Sequence, residues 1–268
     1  MLSGRPWKTI DCLAVLAFLS ALAMGGVLAR LSALQAEATS TPEVGTAHYL
    51  AAMCSYGLMI ALVHIMVRAR GATWTSAFGF RSSPGGATLR LAFGAAFLTF
   101  PIARMLGALS AEVMQDHDLT PVMQESVRFL RETTEVGPQI ALVLIAIVVA
   151  PATEELLFRG ILYPYVKQRG HPNLALWGTS VLFGAVHFNL AVVVPLTFLA
   201  VVMVWLYETT DNLTAPIVAH SVFNLVNYLG ITVERWESNW ALIDLTSLLA
   251  GIVLIRTVLR SRRKAGGG

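Results

Sequence analysis

Uncharged apolar runs of about 20 residues recur along the chain, and they limit its fold more than any other feature. At about 1.5 Å of rise per residue, a helix of that length crosses the hydrocarbon core of a bilayer. The runs predict an all-α polytopic membrane protein, built as a single integral membrane domain over 1–268 with an intramembrane polar cavity. The eight predicted spans are 10–29, 47–67, 88–109, 138–166, 172–190, 191–209, 213–230 and 240–259.

The composition argues against a large soluble core. Only 13% of the residues are charged and 56% are hydrophobic, whereas soluble domains carry about 25% charged residues. Cys12 and Cys54 both lie inside predicted spans, so they offer neither a disulfide framework nor a metal-binding knuckle. The basic residues do not require nucleic acid as a partner, because membrane orientation explains their distribution.

The distribution of basic residues predicts that orientation. With eight spans, both termini lie on one side of the membrane, and Lys and Arg are concentrated on that side. The positive-inside rule makes it cytoplasmic, with a bacterial inner membrane as the expected location. The first span is expected to be an uncleaved helix, because its apolar stretch is too long for a signal peptide. The residues on this side are Arg5, Lys8, Arg68, Arg70, Arg81, Arg90, Lys167, Arg169 and those of the tail RTVLRSRRK.

The stretch PATEELLFRG, 151–160, places three ionisable residues inside the fourth span. Such side chains are costly in lipid, so they normally face the protein interior and mark a functional site. Glu155 and Arg159 are four residues apart, which predicts a supporting ion pair on one helical face. Glu154 is rotated by about 100° from Glu155, so it is expected to act on another partner. Pro151 removes a backbone hydrogen bond and favours a kink.

Three further polar residues lie in later spans. His187 belongs to FGAVHF in the fifth span, while His220 and Asn224 share one face of the seventh span in AHSVFN. Helical rise counted from the cytoplasmic ends gives these residues and Glu154 depths of roughly 10 to 24 Å. Taken alone, a buried histidine such as His187 is more often structural than catalytic, and His220 with Asn224 could simply form hydrogen bonds to neighbouring helices. Their shared layer predicts one joint site.

A glutamate, two histidines and an asparagine suit hydrolysis of a peptide bond by water. Glu154 is the candidate to take a proton from water, and His187 can orient that water or protonate the leaving amine. His220 and Asn224 can donate hydrogen bonds to a tetrahedral oxyanion. The same chemistry leaves a metal-dependent version open.

In that version, His187, His220 and Glu154 would supply three ligands to a catalytic zinc ion and leave one position open. Asn224 is a poor zinc ligand, and the HExxH motif of soluble zinc proteases is absent from the sequence. The favoured prediction is therefore no cofactor, with zinc as the alternative.

The three motifs resemble those of a known family. EELLFR at 154–159, FGAVH at 183–187 and HSVFN at 220–224 follow the order EExxxR, FxxxH and HxxxN of the CPBP family. This family comprises the CAAX-prenyl and bacteriocin-processing intramembrane proteases. It was long labelled a metalloprotease family, and many members are now called glutamic-type. The resemblance implies an endopeptidase that cuts peptide bonds in or beside the membrane, with Glu154 as water activator. It implies the same roles for the histidines and the asparagine.

The resemblance covers the predicted catalytic core, 138–230. N-terminal helices and an outer loop would precede it in 1–137, and a last helix and basic tail would follow in 240–268. The expected partners are the lipid bilayer and a protein or peptide substrate, such as a transmembrane or C-terminal sorting segment.

A second class of function stays open at this point. In a non-catalytic transporter, chaperone or immunity protein, the same polar residues would only join helices; the intact motifs favour the protease. The outer connection 110–137 is predicted to contain an amphipathic surface helix or a solvated one, and it is a hypothetical substrate guide. Arg104 in the third span is expected to reach the membrane surface or to pair with an acidic residue.

Overall fold

The computed structural model describes residues 4–36, 46–80, 85–119, 135–232 and 239–265. Every regular element within these ranges is a helix, as the apolar runs predict. The helices are α1 (Thr9–Ala36), α2 (Thr46–Ala69), α3 (Trp74–Phe78), α4 (Gly86–Asp116), α5 (Val136–Gln168), α6 (Pro172–Ala185), α7 (Leu190–Thr210), α8 (Thr214–Thr232) and α9 (Trp240–Ala265).

Eight of these helices lie at the eight predicted spans. By length and composition α4, α5, α7 and residues Trp240–Arg260 of α9 can cross a bilayer, and shorter apolar stretches occupy α1 and α2. The all-α integral membrane fold is thereby confirmed. Helix α4 is longer than its predicted span, 88–109, and the proposed amphipathic segment of the outer connection lies largely in 120–134, outside the described residues.

Helix α5 contains two π-helical stretches, Ile145–Val149 and Leu156–Leu162, on either side of the two glutamates. In a π-helix each amide reaches back five residues instead of four, so the following side chains are rotated about the axis. Each stretch is followed by a proline, Pro151 or Pro164. Because proline has no amide N–H, carbonyls near it lose their helical donor. The predicted disturbance at Pro151 therefore takes the form of a change in helical winding.

Helix α4 is the central packing surface, and it contacts α7, α8 and α9. Its crossing with α9 is close because Gly94 faces Gly251. A Cβ atom on Gly94 would lie 2.9 Å from Ile255 Cγ1, and one on Gly251 would lie 2.8 Å from Gly94 O. Helix α6 packs against α7 and the end of α5. These contacts bring α5, α6 and α8, the helices of the three motifs, into one bundle.

The segment after α2 differs from its predicted form. In the sequence, Gly and Pro in WTSAFGFRSSPGG, 74–86, predict a cytoplasmic loop. Residues 74–78 instead form helix α3, which Thr73 and Ser76 stabilise through a capping box. Phe78 is fully buried. Its ring lies against Gly160 of α5, where a Cβ atom would lie 2.6 Å from Phe78 Cε1. Helix α3 therefore packs against the core through Phe78.

The predicted fifth span, 172–190, is too long. Helix α6 ends at Ala185, and Phe188 adopts a positive φ of 49° before Asn189 caps α7. Asn189 Oδ1 accepts a hydrogen bond from the Ala191 amide at 3.1 Å. His187 consequently lies in the connection after α6, whereas the prediction places it within the fifth span.

Candidate active site

The two adjacent glutamates have different surroundings, as their helical positions predict. Glu155 is fully buried and accepts a hydrogen bond from Arg159 Nη1 at 2.9 Å, with the arginine side chain only 1% exposed. The side chain of Glu154 remains 23% exposed. An ion pair this deep is stable only while both partners are present. Glu155 is therefore committed to the structure, whereas Glu154 is accessible.

His220 connects the two carboxylates across the interface of α8 and α5. Its Nδ1 lies 2.9 Å from Glu155 Oε1, and its Nε2 lies 3.8 Å from Glu154 Oε2. Because the carboxylate paired with Arg159 can only accept, Nδ1 is the donor. The side chains form a row in the order Arg159, Glu155, His220 and Glu154.

The aromatic ring of Phe183 on α6 packs against this row. The Arg159 guanidinium lies 4.5 Å from the ring centroid, within cation–π range. The imidazoles of His187 and His220 contact the same ring edge-on, with centroids 5.1 and 5.7 Å away. Phe183 thus contacts both histidines and the Arg159 guanidinium of the buried ion pair.

His187 is oriented by the end of its own helix. Its Nδ1 lies 2.8 Å from the carbonyl oxygen of Phe183. Since a carbonyl only accepts, Nδ1 carries the hydrogen and Nε2 has the free lone pair in the neutral ring. His187 is therefore prepared to accept a hydrogen bond or a proton through Nε2.

Asn224 is tied to a carbonyl that Pro151 leaves without a helical donor. The Ala150 amide bonds to Ile145 O in the first π-helical stretch, so it no longer serves Ala146 O. The next amide position belongs to Pro151, which has no N–H. Asn224 Nδ2 donates to Ala146 O at 2.8 Å and satisfies it. Its second amide hydrogen is left for another acceptor.

The close approach of α6 and α7 depends on a glycine of the second motif. A Cβ atom on Gly184 would lie 2.6 Å from Val193 O and 2.8 Å from Thr197 Oγ1. Only a residue without a side chain fits there. Gly184 in FGAVH therefore allows α6 and α7 to approach closely on either side of the short connection that contains His187.

The side chains proposed as zinc ligands do not form a metal-binding cluster among the described residues. Within the described ranges, no three His, Cys, Asp or Glu side chains converge closely enough to hold a metal ion. One nitrogen of His220 is already bonded to Glu155. The zinc version consequently stays a prediction from the sequence.

The contacts show which of the predicted site residues come together. Glu154, Glu155, Arg159 and His220 form one row, His187 joins it through Phe183, and Asn224 bonds to the backbone of α5. Sequence reasoning missed the hydrogen bond from His220 to Glu155, because helical spacing carries no information about neighbouring helices. The hydrogen bond to Ala146 O had one signal in the sequence, which was the polar side chain of Asn224 on the same helical face as His220.

Arg104 lies apart from the row, as expected. Its Nε lies 3.2 Å from Asp244 Oδ1, and its guanidinium stacks on Trp240 at 3.8 Å from the ring centroid. The predicted pairing with an acidic residue is confirmed, and it joins α4 to α9.

Comparison with known proteins supports the resemblance of the three-motif region to intramembrane proteases. Residues 136–226 match the family model described as "Type II CAAX prenyl endopeptidase Rce1-like". The predicted resemblance to the CPBP family is confirmed over this segment. All six predicted site residues lie within the CPBP-like segment, which takes in α5, α6, α7 and most of α8.

A curated relative points in the same direction. The chain is 29% identical over 83 residues to the "Putative membrane peptidase YdiL" of Bacillus subtilis (strain 168). The aligned part is 31% of this chain and 34% of that protein, so the chain matches about a third of the relative's length. No solved structure matches the chain.

Proposed function

We propose that the protein is an intramembrane endopeptidase in which Glu154 activates water to hydrolyse a peptide bond in or near the membrane. The observation that carries the proposal is the contrast within the charged row. Glu155 and Arg159 neutralise each other in full burial, while Glu154 at the end of the row is partly exposed and 3.8 Å from His220. The CPBP-like match supports the same reaction class.

In the proposed reaction, water first adds to the substrate carbonyl. Glu154 takes one proton from the water as its oxygen bonds to the carbonyl carbon, and the carbonyl oxygen becomes an oxyanion. The C–N bond then breaks, and the same proton passes from Glu154 to the leaving amine nitrogen. The products are a carboxylic acid and an amine, and Glu154 is ionised again.

His220 and Asn224 are the proposed oxyanion donors. Because Nδ1 of His220 donates to Glu155, its Nε2 can donate only when the ring is doubly protonated. In that state charges alternate along the row, positive on Arg159 and His220 and negative on both glutamates. Asn224 contributes the amide hydrogen that does not bond to Ala146.

His187 is the proposed water-orienting residue. Its Nδ1–H donates to Phe183 O, so Nε2 can accept a hydrogen bond from the attacking water. We propose that the reaction needs no metal. A zinc-dependent version held by Glu154, His187 and His220 would require these side chains to converge more closely, since no three described His, Cys, Asp or Glu side chains form a metal-binding cluster.

The proposed substrate is a protein or peptide in the membrane, cut at a C-terminal or leader segment. The names of the matching family and relative describe an endopeptidase and a membrane peptidase, which agree with this class. The proposed location is the bacterial inner membrane with both termini in the cytoplasm. This proposal is based on the concentration of Lys and Arg on one side of the predicted spans.

The test compares membrane peptides from cells that express wild-type protein or the Glu154→Gln variant, identified by mass spectrometry. We expect peptides with new termini only with the wild type, and the same peptides after treatment with a zinc chelator. Identical peptides from the two strains would favour a non-catalytic membrane protein. Loss of the cleavage products on chelation, with recovery on adding Zn²⁺, would favour the metal-dependent version.

A further inference from the structure

The indole of Trp7 bonds to the backbone of the catalytic helix. Trp7 lies in the segment before α1 and is only 6% exposed. Its Nε1–H donates to the carbonyl oxygen of Gly160 at 2.6 Å, across 153 residues of sequence. This hydrogen bond links the N-terminal segment to the second π-helical stretch of α5.

The acceptor is a carbonyl that Pro164 deprives of its α-helical donor. In an α-helix, Gly160 O would accept from the amide four residues later, which is Pro164 and has no N–H. The Tyr163 amide donates to Phe158 O, five residues back. A carbonyl left unpaired in a protein interior is costly, and the Trp7 indole removes that cost. The arrangement repeats at the other end of the glutamates, where Asn224 bonds to Ala146 O beside Pro151.

The donor itself is held by contacts on the same side of the bundle. Arg5 donates to Asp211 Oδ1 at 2.6 Å and to Ser76 O at 2.8 Å. The Trp7 ring packs on Phe78 with centroids 5.5 Å apart. Gly160 thus meets Trp7 at its carbonyl and Phe78 at its Cα, which leaves little freedom for the backbone to rotate.

Gly160 directly follows Arg159, and this position connects Trp7 with the site. A rotation of the backbone here would move the Arg159 guanidinium relative to Glu155, which in turn bonds to His220. We propose that Trp7 is a positioning residue that supplies the donor missing at Pro164 and sets the rotation of α5 around Arg159. The effect on catalysis rests on the proposed peptidase function, whereas the effect on the backbone of α5 does not.

The test uses Trp7→Phe, which keeps an aromatic ring against Phe78 and removes the N–H. Pro164→Ala introduces an amide that can donate to Gly160 O, so the double variant tests whether the missing donor is the cause. Trp74→Phe is the matched control, since its indole donates to His64 Nδ1 at 3.3 Å in the same aromatic cluster. Each full-length variant is reconstituted in liposomes.

We expect Trp7→Phe to lower kcat about tenfold with KM unchanged, the size expected for one unsatisfied buried carbonyl. Hydrogen exchange of the amides in 156–163 should rise in parallel. The double variant should return both quantities to within about twofold of wild type, and the control should match wild type. Unchanged exchange in Trp7→Phe, or a double variant no better than Trp7→Phe, would overturn the proposal.

The two readouts separate this proposal from the peptidase function. If cleavage does not depend on Glu154 while exchange rises and is rescued as expected, the peptidase mechanism fails and the positioning role of Trp7 stands. If Glu154 is required but exchange in 156–163 does not respond to Trp7, the positioning role alone fails.

Discussion

At the scale of single residues, Glu154 and Glu155 differ because one has a fixed partner and the other has solvent access. Removing the charge of Glu155 would leave Arg159 charged and buried, since its side chain is only 1% exposed. We expect Glu155→Gln to reduce the free energy of unfolding by about 3 to 5 kcal/mol. Glu154→Gln should reduce it by less than about 1 kcal/mol. Denaturation in mixed detergent micelles measures both.

A double variant provides the control for this difference. Glu155→Gln combined with Arg159→Met removes the stranded charge, and it should recover most of the lost stability. Equal stability of Glu155→Gln and Glu154→Gln would contradict the division of roles between the glutamates.

The ion pair of Glu155 and Arg159 within α5 could be predicted from sequence, whereas the hydrogen bond from His220 on α8 could not. A spacing of four residues places Glu155 and Arg159 on one face, and the structure has their ion pair. The bond from His220 to Glu155 depends on how α8 lies against α5, which no local spacing determines. The same limit applies to Phe183, whose contacts with Arg159 and His220 arise only from packing.

At the scale of helices, Asn224 bonds to the α5 backbone, and its proposed role as an oxyanion donor can be tested separately. Asn224→Ala removes the donor to Ala146 O and should cost about 1 to 3 kcal/mol of stability. Pro151→Ala supplies an amide in position to donate to Ala146 O, so adding it should restore stability. Cleavage should stay low in the double variant, because the oxyanion donor is still missing.

Thermal unfolding and cleavage rates measured on the same preparations distinguish these roles. Recovery of cleavage in Asn224→Ala with Pro151→Ala would show that Asn224 acts only through the α5 backbone. Failure to recover stability would contradict the account of the freed carbonyl.

The contact between α6 and α7 gives a further prediction at this scale. A Cβ atom at Gly184 would meet the backbone oxygen of Val193 at 2.6 Å. Gly184→Ala should therefore destabilise the protein by about 1 to 3 kcal/mol and reduce cleavage by displacing His187. Gly178 lies on the same helix, where a Cβ atom would approach only the Leu174 side chain, at 3.2 Å.

Gly178→Ala is thus the matched control, and it should be neutral or stabilise the helix by up to about 1 kcal/mol. Thermal unfolding of the two variants measures the difference. If both alanines had the same effect, close packing at Gly184 would not be what positions His187.

The helices could be predicted from hydropathy, but their interruptions could not. Long apolar runs identify the spans because a bilayer requires about 20 such residues. The π-helical stretches depend on which carbonyls find donors in other elements, such as Trp7 and Asn224. Helix α3 was missed because its five residues are too few for a periodic pattern, although Trp74, Phe78 and Phe80 form an aromatic cluster around the buried Phe78.

At the scale of the whole molecule, elements outside the CPBP-like segment pack against this segment, which contains the candidate site. The segment 136–226 is contacted by Trp7 and Phe78 at Gly160, and α4 packs against α7 and α8. The N-terminal part therefore has a physical role, although it carries none of the three motifs. Its contacts fix the winding and position of α5, on which the placement of both glutamates depends.

The central claim is that Glu154 activates the water that cuts the substrate. The most direct measurement is the single-turnover cleavage rate of purified wild-type and Glu154→Gln protein in liposomes, with a membrane peptide that the wild type cuts. Matching thermal unfolding of the two proteins ensures that both are folded. The account predicts a loss of about 100-fold or more for Glu154→Gln, because a general base contributes at least that much. A cleavage rate within about threefold of wild type would contradict the account, because that loss is far smaller than the contribution of a general base.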